Sequence, residues 1–247
     1  MLNVDLARAR PAQRGVGLVE LMVGITVGLI VTAGATVVAT RQINEHRRLM
    51  LEVQMQQDLR VAADLLQQDL RRAGYRGLPA NGVWEPERDG GATPAKPAAS
   101  SPYVQVSQGA DGASLFYRYA IFSSATNKVN QSNVLAGKEQ FGFRLNTETQ
   151  GLEFALGLLA DGSPNWQPIT DPAVITITNF TPVIVTQRIS LAGLCDPSCT
   201  NAGNCPTQDV RLVDITIQAV SKSDPAVKRT LTVREKLRAD DVSGVCP

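Results

Sequence analysis

The chain is poor in the side chains that carry out chemistry. Among 247 residues there is one histidine, His46, which lies between Glu45 and Arg47 with no second imidazole to share a metal or relay a proton. A histidine-based catalytic pair is thereby excluded, and His46 reads as a solvated helix residue. Gly-rich phosphate loops, G-x-G-x-x-G and G-x-S-x-G are all missing, and Gly109-Ala-Asp-Gly112 has too few carboxylates for a calcium loop. The expectation is a protein that is not an enzyme and that needs no cofactor. An excess of either charge is lacking too: the formal net charge is +1, and residues 75–247 carry 15 Lys and Arg against 16 Asp and Glu. A surface so balanced gives no reason to expect strong nucleic-acid binding.

Cysteine is missing until Cys195 and then occurs four times, at Cys195, Cys199, Cys205 and Cys246. An even number grouped late in a chain with a membrane-type start favours disulfides in an oxidising compartment. A four-thiolate zinc site is the competing reading, since Cys246 could complete the set. Three disulfide connectivities are possible; the expectation is one bridge within CDPSCTNAGNC and a second tying the remaining cysteine to Cys246.

Charge is also missing from Leu21 to Thr40. At about 1.5 Å per residue, a helix of that length matches the hydrocarbon thickness of a bilayer, about 30 Å. Gly24-x-x-x-Gly28 within it is a small-xxx-small pair of the kind that lets helices approach closely. The one carboxylate near the start of the apolar run is Glu20, which costs about 2 to 4 kcal/mol if buried in lipid without a partner. A secretory signal puts its small-residue cleavage site after the apolar stretch. Here the order is reversed: Arg8, Arg10 and Arg14 come first, Gly15 follows, and the apolar run starts at Val16.

That arrangement, a basic leader, then Gly15, then Glu20 five residues on and a long apolar helix, resembles the class III signal of type IV pilins and pseudopilins. The resemblance implies cleavage between Gly15 and Val16 by a prepilin peptidase and N-methylation of Val16. It also implies pairing of Glu20 with the terminal amine of an adjacent subunit, and such a pair is attractive in low dielectric. Val16 departs from the phenylalanine that the family usually has at this position.

Beyond Thr40 the chain turns polar without a helix breaker before Gly74, and Met55, Leu59, Ala62, Leu66, Leu70 and Ala73 recur at three and four residues. The spacing predicts one helix from Val16 to Ala73, stopped by Gly74 and kept from restarting by Pro79. Arg41, Arg47, Arg48, Arg71 and Arg72 alternate with Glu45, Glu52, Asp58, Asp64 and Asp69 and read as a solvated face. The Pro-, Gly-, Ala- and Ser-rich stretch 79–101 reads as a surface loop or a partly disordered insertion. From residue 102 on, YVQV, SLFYRYAIF, FGFRL, LEFAL, AVITITNF, PVIVTQRI, VRLVDITIQAV and RTLTVREKLR read as strands, the last two forming a hairpin across SKSDPA.

The resulting fold class is α+β: a long N-terminal helix on a β-rich head. The expected divisions are a cleaved leader at 1–15, a membrane and assembly helix at 16–40, its amphipathic extension at 41–74 and a periplasmic head at 75–247. The run DLRRAGYRG, residues 69–77, resembles the helix end of PilW-type minor pilins, and GADGASLFYRY, from Gly109, is similar to a stretch of their heads. That likeness implies a minor pilin that starts filament formation with other minor pilins near the tip. It would be held first in the inner membrane with a periplasmic head and then in the pilus at the cell surface. Its partners would be the prepilin peptidase, the other minor pilins and the major pilin. A minor pseudopilin of a type II secretion system is the alternative, as is an adhesin or DNA-binding module at a filament tip.

Overall fold

In the computed structural model, the described residues are 15, 17–83, 85, 87–94, 96–97, 99–123, 127–200 and 203–246. The chain divides into two units, Met1–Met50 and Leu51–Pro247. Helix α1 spans Leu18–Leu70, shorter at both ends than the sequence predicts. Gly17 precedes it, and residues 71–74 leave the helix through a turn in which Gly74 takes φ +81°. That left-handed conformation suits glycine, and a Cβ there would approach the Ala239 Cβ to 2.8 Å.

In the first unit the described residues are Gly15, Gly17 and the helix from Leu18 to Met50, whose side chains are exposed on every face.

The second unit packs the rest of α1 against two antiparallel sheets. Met55, Leu59, Ala62, Leu66, Leu70 and Ala73 are all buried, so the apolar stripe faces the core. At about 1.5 to 3 kcal/mol for each large side chain removed from water, this face is what holds the helix to the head. One sheet has the order β1-β2-β5-β6-β7, with β1 Ser107–Gln108, β2 Ser114–Arg118, β5 Gln140–Asn146, β6 Gly151–Leu158 and β7 Pro164–Pro168. Its inner side carries Tyr117, Phe141, Phe143 and Phe154, buried with Tyr119 just past β2; the rings of Tyr119 and Phe141 stack at 4.0 Å and those of Phe143 and Phe154 at 4.8 Å.

The other sheet is built on β9 Thr207–Ser221. One edge of β9 pairs along its length with β8 Ile175–Ser190; the other is shared by β10 Lys228–Lys236 and β11 Asp241–Ser243. Ile175, Ile177, Phe180, Val213, Ile215 and Ile217 face the same core as the helix stripe. A third, small pairing joins β3 Phe122–Ser123 to β4 Lys128–Val129.

Several expectations need correcting. YVQV makes no strand: Tyr103 turns inward, its amide donating to Ser101 and its hydroxyl to Glu139 at 2.9 Å. AVITITNF and PVIVTQRI are one strand, β8, running through Pro182. Within 79–101 the described residues include two antiparallel bridges, Glu85–Lys96 and Arg88–Thr93. The β9–β10 hairpin across SKSDPA is present.

Candidate assembly site on the N-terminal helix

The site begins with what the first helical turns present. Gly15 is exposed and outside the helix. Val16, the expected methylation position, and residues 1–14 of the leader lie outside the described residues. Glu20 falls in the first turn of α1, where a carboxylate is favoured by the helix dipole. Glu20, Gly24 and Gly28 recur every four residues and so form one inclined ridge, which Thr32, Thr36 and Thr40 continue. Each of these hydroxyls donates back to the carbonyl four residues earlier, Thr32 to Gly28 at 2.7 Å, Thr36 to Thr32 at 2.8 Å and Thr40 to Thr36 at 3.0 Å. A polar side chain thus enters an apolar segment without an unsatisfied donor.

A Cβ added at Gly24 or Gly28 would meet nothing within 4 Å. The chain's own fold therefore gives no reason for glycine at either position, and glycine in a helix interior costs about 1 kcal/mol relative to alanine. What the arrangement can do is let another helix come close beside a carboxylate. The sequence reading includes the glycine pair and Glu20 but not the threonine continuation; the signal for it was the unbroken i, i+4 series from Glu20 to Thr40.

At the other end of α1, the two stretches singled out in the sequence meet. Asp69, from DLRRAGYRG, is buried and accepts hydrogen bonds from the hydroxyls of Tyr117 and of Tyr119, the latter at 2.8 Å. Both tyrosines belong to SLFYRY. Arg72 stacks its guanidinium 4.4 Å from the Tyr119 ring centroid and lies 3.5 Å from the Asp69 carboxylate. The Gly74 amide donates to Arg118 O and the Ala120 amide to Tyr75 O, each at 2.8 Å. Burial pushes the Asp69 carboxyl above the ordinary carboxylate range, against the two phenol hydrogen bonds and Arg72, which act to lower it. Burial and the facing Asp69 raise both phenols.

This corrects the reading of Asp69 as part of a solvated face. Three of its fellow residues also reach the head: Arg72 through the Tyr119 ring, Glu52 by pairing with Arg229 at 2.5 Å and Arg71 with Glu235 at 3.0 Å. Arg41, Glu45, His46, Arg47 and Arg48 are exposed.

All four cysteines are oxidised. Cys199 bonds to Cys205 and Cys195 to Cys246, with Cα separations of 5.6 and 5.4 Å. The sulfurs are used within the chain, so they leave no thiolate set for zinc.

An apolar helix long enough to cross a membrane, carrying its lone early carboxylate behind a basic leader and leading into a disulfide-bonded β-rich head, defines a membrane-anchored pilin-like protein. The chain belongs to the prepilin peptidase-dependent protein B family, whose model matches residues 48–237, and residues 10–36 match the prokaryotic N-terminal methylation motif. No curated protein and no solved structure matches it.

Proposed function

We propose that this chain is a minor pilin of the PilW type that acts in type IV pilus assembly, performing no chemistry itself. Prepilin peptidase cuts after Gly15, and the new amine at Val16 is methylated. The protein waits in the inner membrane with its head in the periplasm. It then joins other minor pilins to start a filament, stays near its tip, and contacts the major pilin through the same helix. Glu20 pairs with the terminal amine of a neighbouring subunit while Gly24 and Gly28 let the two helices approach. The observation that carries this reading is the open ridge Glu20–Gly24–Gly28 on a helix that matches the methylation motif.

The test is Glu20→Ala in the otherwise intact chain, followed by the amount of the protein in sheared filaments. An unpaired intramembrane carboxylate costs about 2.5 to 3.5 kcal/mol, so the alanine variant inserts at least as well as the parent but is lost from filaments. Unchanged incorporation would contradict the pairing. A deletion strain separates pilus from secretion system: loss of surface pili with protein export intact is expected, and the reverse phenotype assigns the chain to type II secretion.

A further inference from the structure

The geometry points to the free edge of β8, from Val183 to Ser190, as a pairing surface for a second copy of this chain, the two strands running antiparallel about Thr186. In the second half of β8 only β9 lies alongside among the described residues, with β11 on the far edge of β9. The Leu191 amide donates to Pro206 O, and antiparallel pairs alternate between bonded and non-bonded positions. By that alternation Val183, Val185, Gln187 and Ile189 bond to β9, whereas the backbone groups of Ile184, Thr186, Arg188 and Ser190 point outward from the sheet. Pro182 falls on the outward series, where a missing amide costs the β8–β9 ladder nothing.

An open edge of this length is normally blunted by charge or by a covering element. Here the solvent face beside it is apolar, with Val183 48 %, Val185 45 % and Ile189 39 % exposed. Two copies related by a two-fold axis at Thr186 match group for group. The amides and carbonyls of Ile184 and Arg188 in one copy meet those of Arg188 and Ile184 in the other, and Thr186 meets Thr186. Val183 comes to lie beside Ile189 of the second copy, and Val185 beside its Gln187. The one charged residue of the stretch, Arg188, is already held by Asp209 of its own chain through two bonds of 2.7 Å, and it faces Ile184 rather than another arginine. No like charges meet, and each cross-strand pair is favourable or neutral. The disulfides Cys199–Cys205 and Cys195–Cys246 close the end of the same ribbon. Pairing with β9 along the whole stretch holds the edge extended before it meets a partner, which reduces the ordering cost of association.

The experiment uses the full chain in its native membrane with Thr186→Cys, compared with Thr230→Cys on exposed β10. Across a bonded antiparallel pair the Cα atoms are about 5.5 Å apart, within disulfide reach. The expected result is a disulfide-linked dimer of this chain for Thr186→Cys and none for Thr230→Cys. Because an added thiol can disturb the native disulfides, Thr186→Pro supplies a second measurement: it removes an outward amide and leaves the β8–β9 ladder intact. In detergent solution the parent chain is expected to have a larger mass than Thr186→Pro at equal thermal stability, the difference being loss of the dimer. Equal masses, or a Thr186→Cys chain that stays monomeric or links only to a different protein, would overturn the proposal.

Discussion

Asp69 shows how one side chain can look ordinary in sequence and occupy a special place in the fold. Gln67 and Gln68 precede it and Arg71 and Arg72 follow, so the local pattern reads as a wetted surface; its partners, Tyr117 and Tyr119, are 48 and 50 residues away. Nothing in the spacing around Asp69 announces them. Removing the carboxylate leaves two buried hydroxyls without an acceptor, so Asp69→Ala should cost about 2 to 4 kcal/mol, read as a lower unfolding temperature of the full chain in detergent. The pH dependence follows from the direction of the shift. The folded-state carboxyl is raised above its unfolded value of 3.8, so the folded form binds the extra proton. That contribution to stability is full below the unfolded value and is lost as pH rises through the folded one. Asp69→Asn should remove this decline: the unfolding temperature of the parent minus that of the variant rises as pH falls toward 3.8. A difference that does not change with pH would contradict the assignment.

Among the elements, the helix was the most legible because its period survives everything around it, and its six-residue apolar stripe is the buried one. The strands were legible where alternation is undisturbed, as in β5, β6, β9 and β10. They were misread where proline interrupts the pattern. Pro182 splits the apparent run but sits on the outward edge of β8, and Pro164 and Pro168 bound β7, the edge strand of its sheet. Proline is tolerated in both places because no ladder bond needs its missing amide. The two-residue strands β3 and β4 are too short for any period to show. For the helix ridge, Gly24→Leu or Gly28→Leu should leave the isolated protein folded, since open space surrounds both positions and leucine is the better helix former by somewhat under about 1 kcal/mol. Incorporation into filaments should nevertheless drop, whereas Ala33→Leu, on the opposite side of the helix from Gly24, should have little effect. Quantification of the chain in sheared filaments checks this, and equal incorporation of all three variants would mean that the glycines serve no helix contact.

The molecule as a whole joins a membrane helix to a head that is fixed at both ends of its sequence. Glu52–Arg229 and Arg71–Glu235 tie the helix to the β9–β10 sheet, and Cys195–Cys246 ties the last residues to the ribbon. That bond spans 51 residues, while Cys199–Cys205 spans 6. By loop-closure entropy in the unfolded chain, the first contributes about 4 kcal/mol and the second about 2. Replacing both Cys195 and Cys246 by serine should therefore lower the unfolding temperature by about 10 °C and replacing Cys199 and Cys205 by about 5 °C, measured by thermal scans of the full chain. An equal or inverted order would show that strain or unfolded-state structure dominates. All of this gives the head its stability, but the role assigned to the chain rests on what happens at Gly15 and Val16. Intact mass of the protein recovered from cells is the most direct test. The account predicts a chain that begins at Val16, carries one methyl group on its amine and lacks the four thiol hydrogens; a chain that still contains residues 1–15 would contradict it.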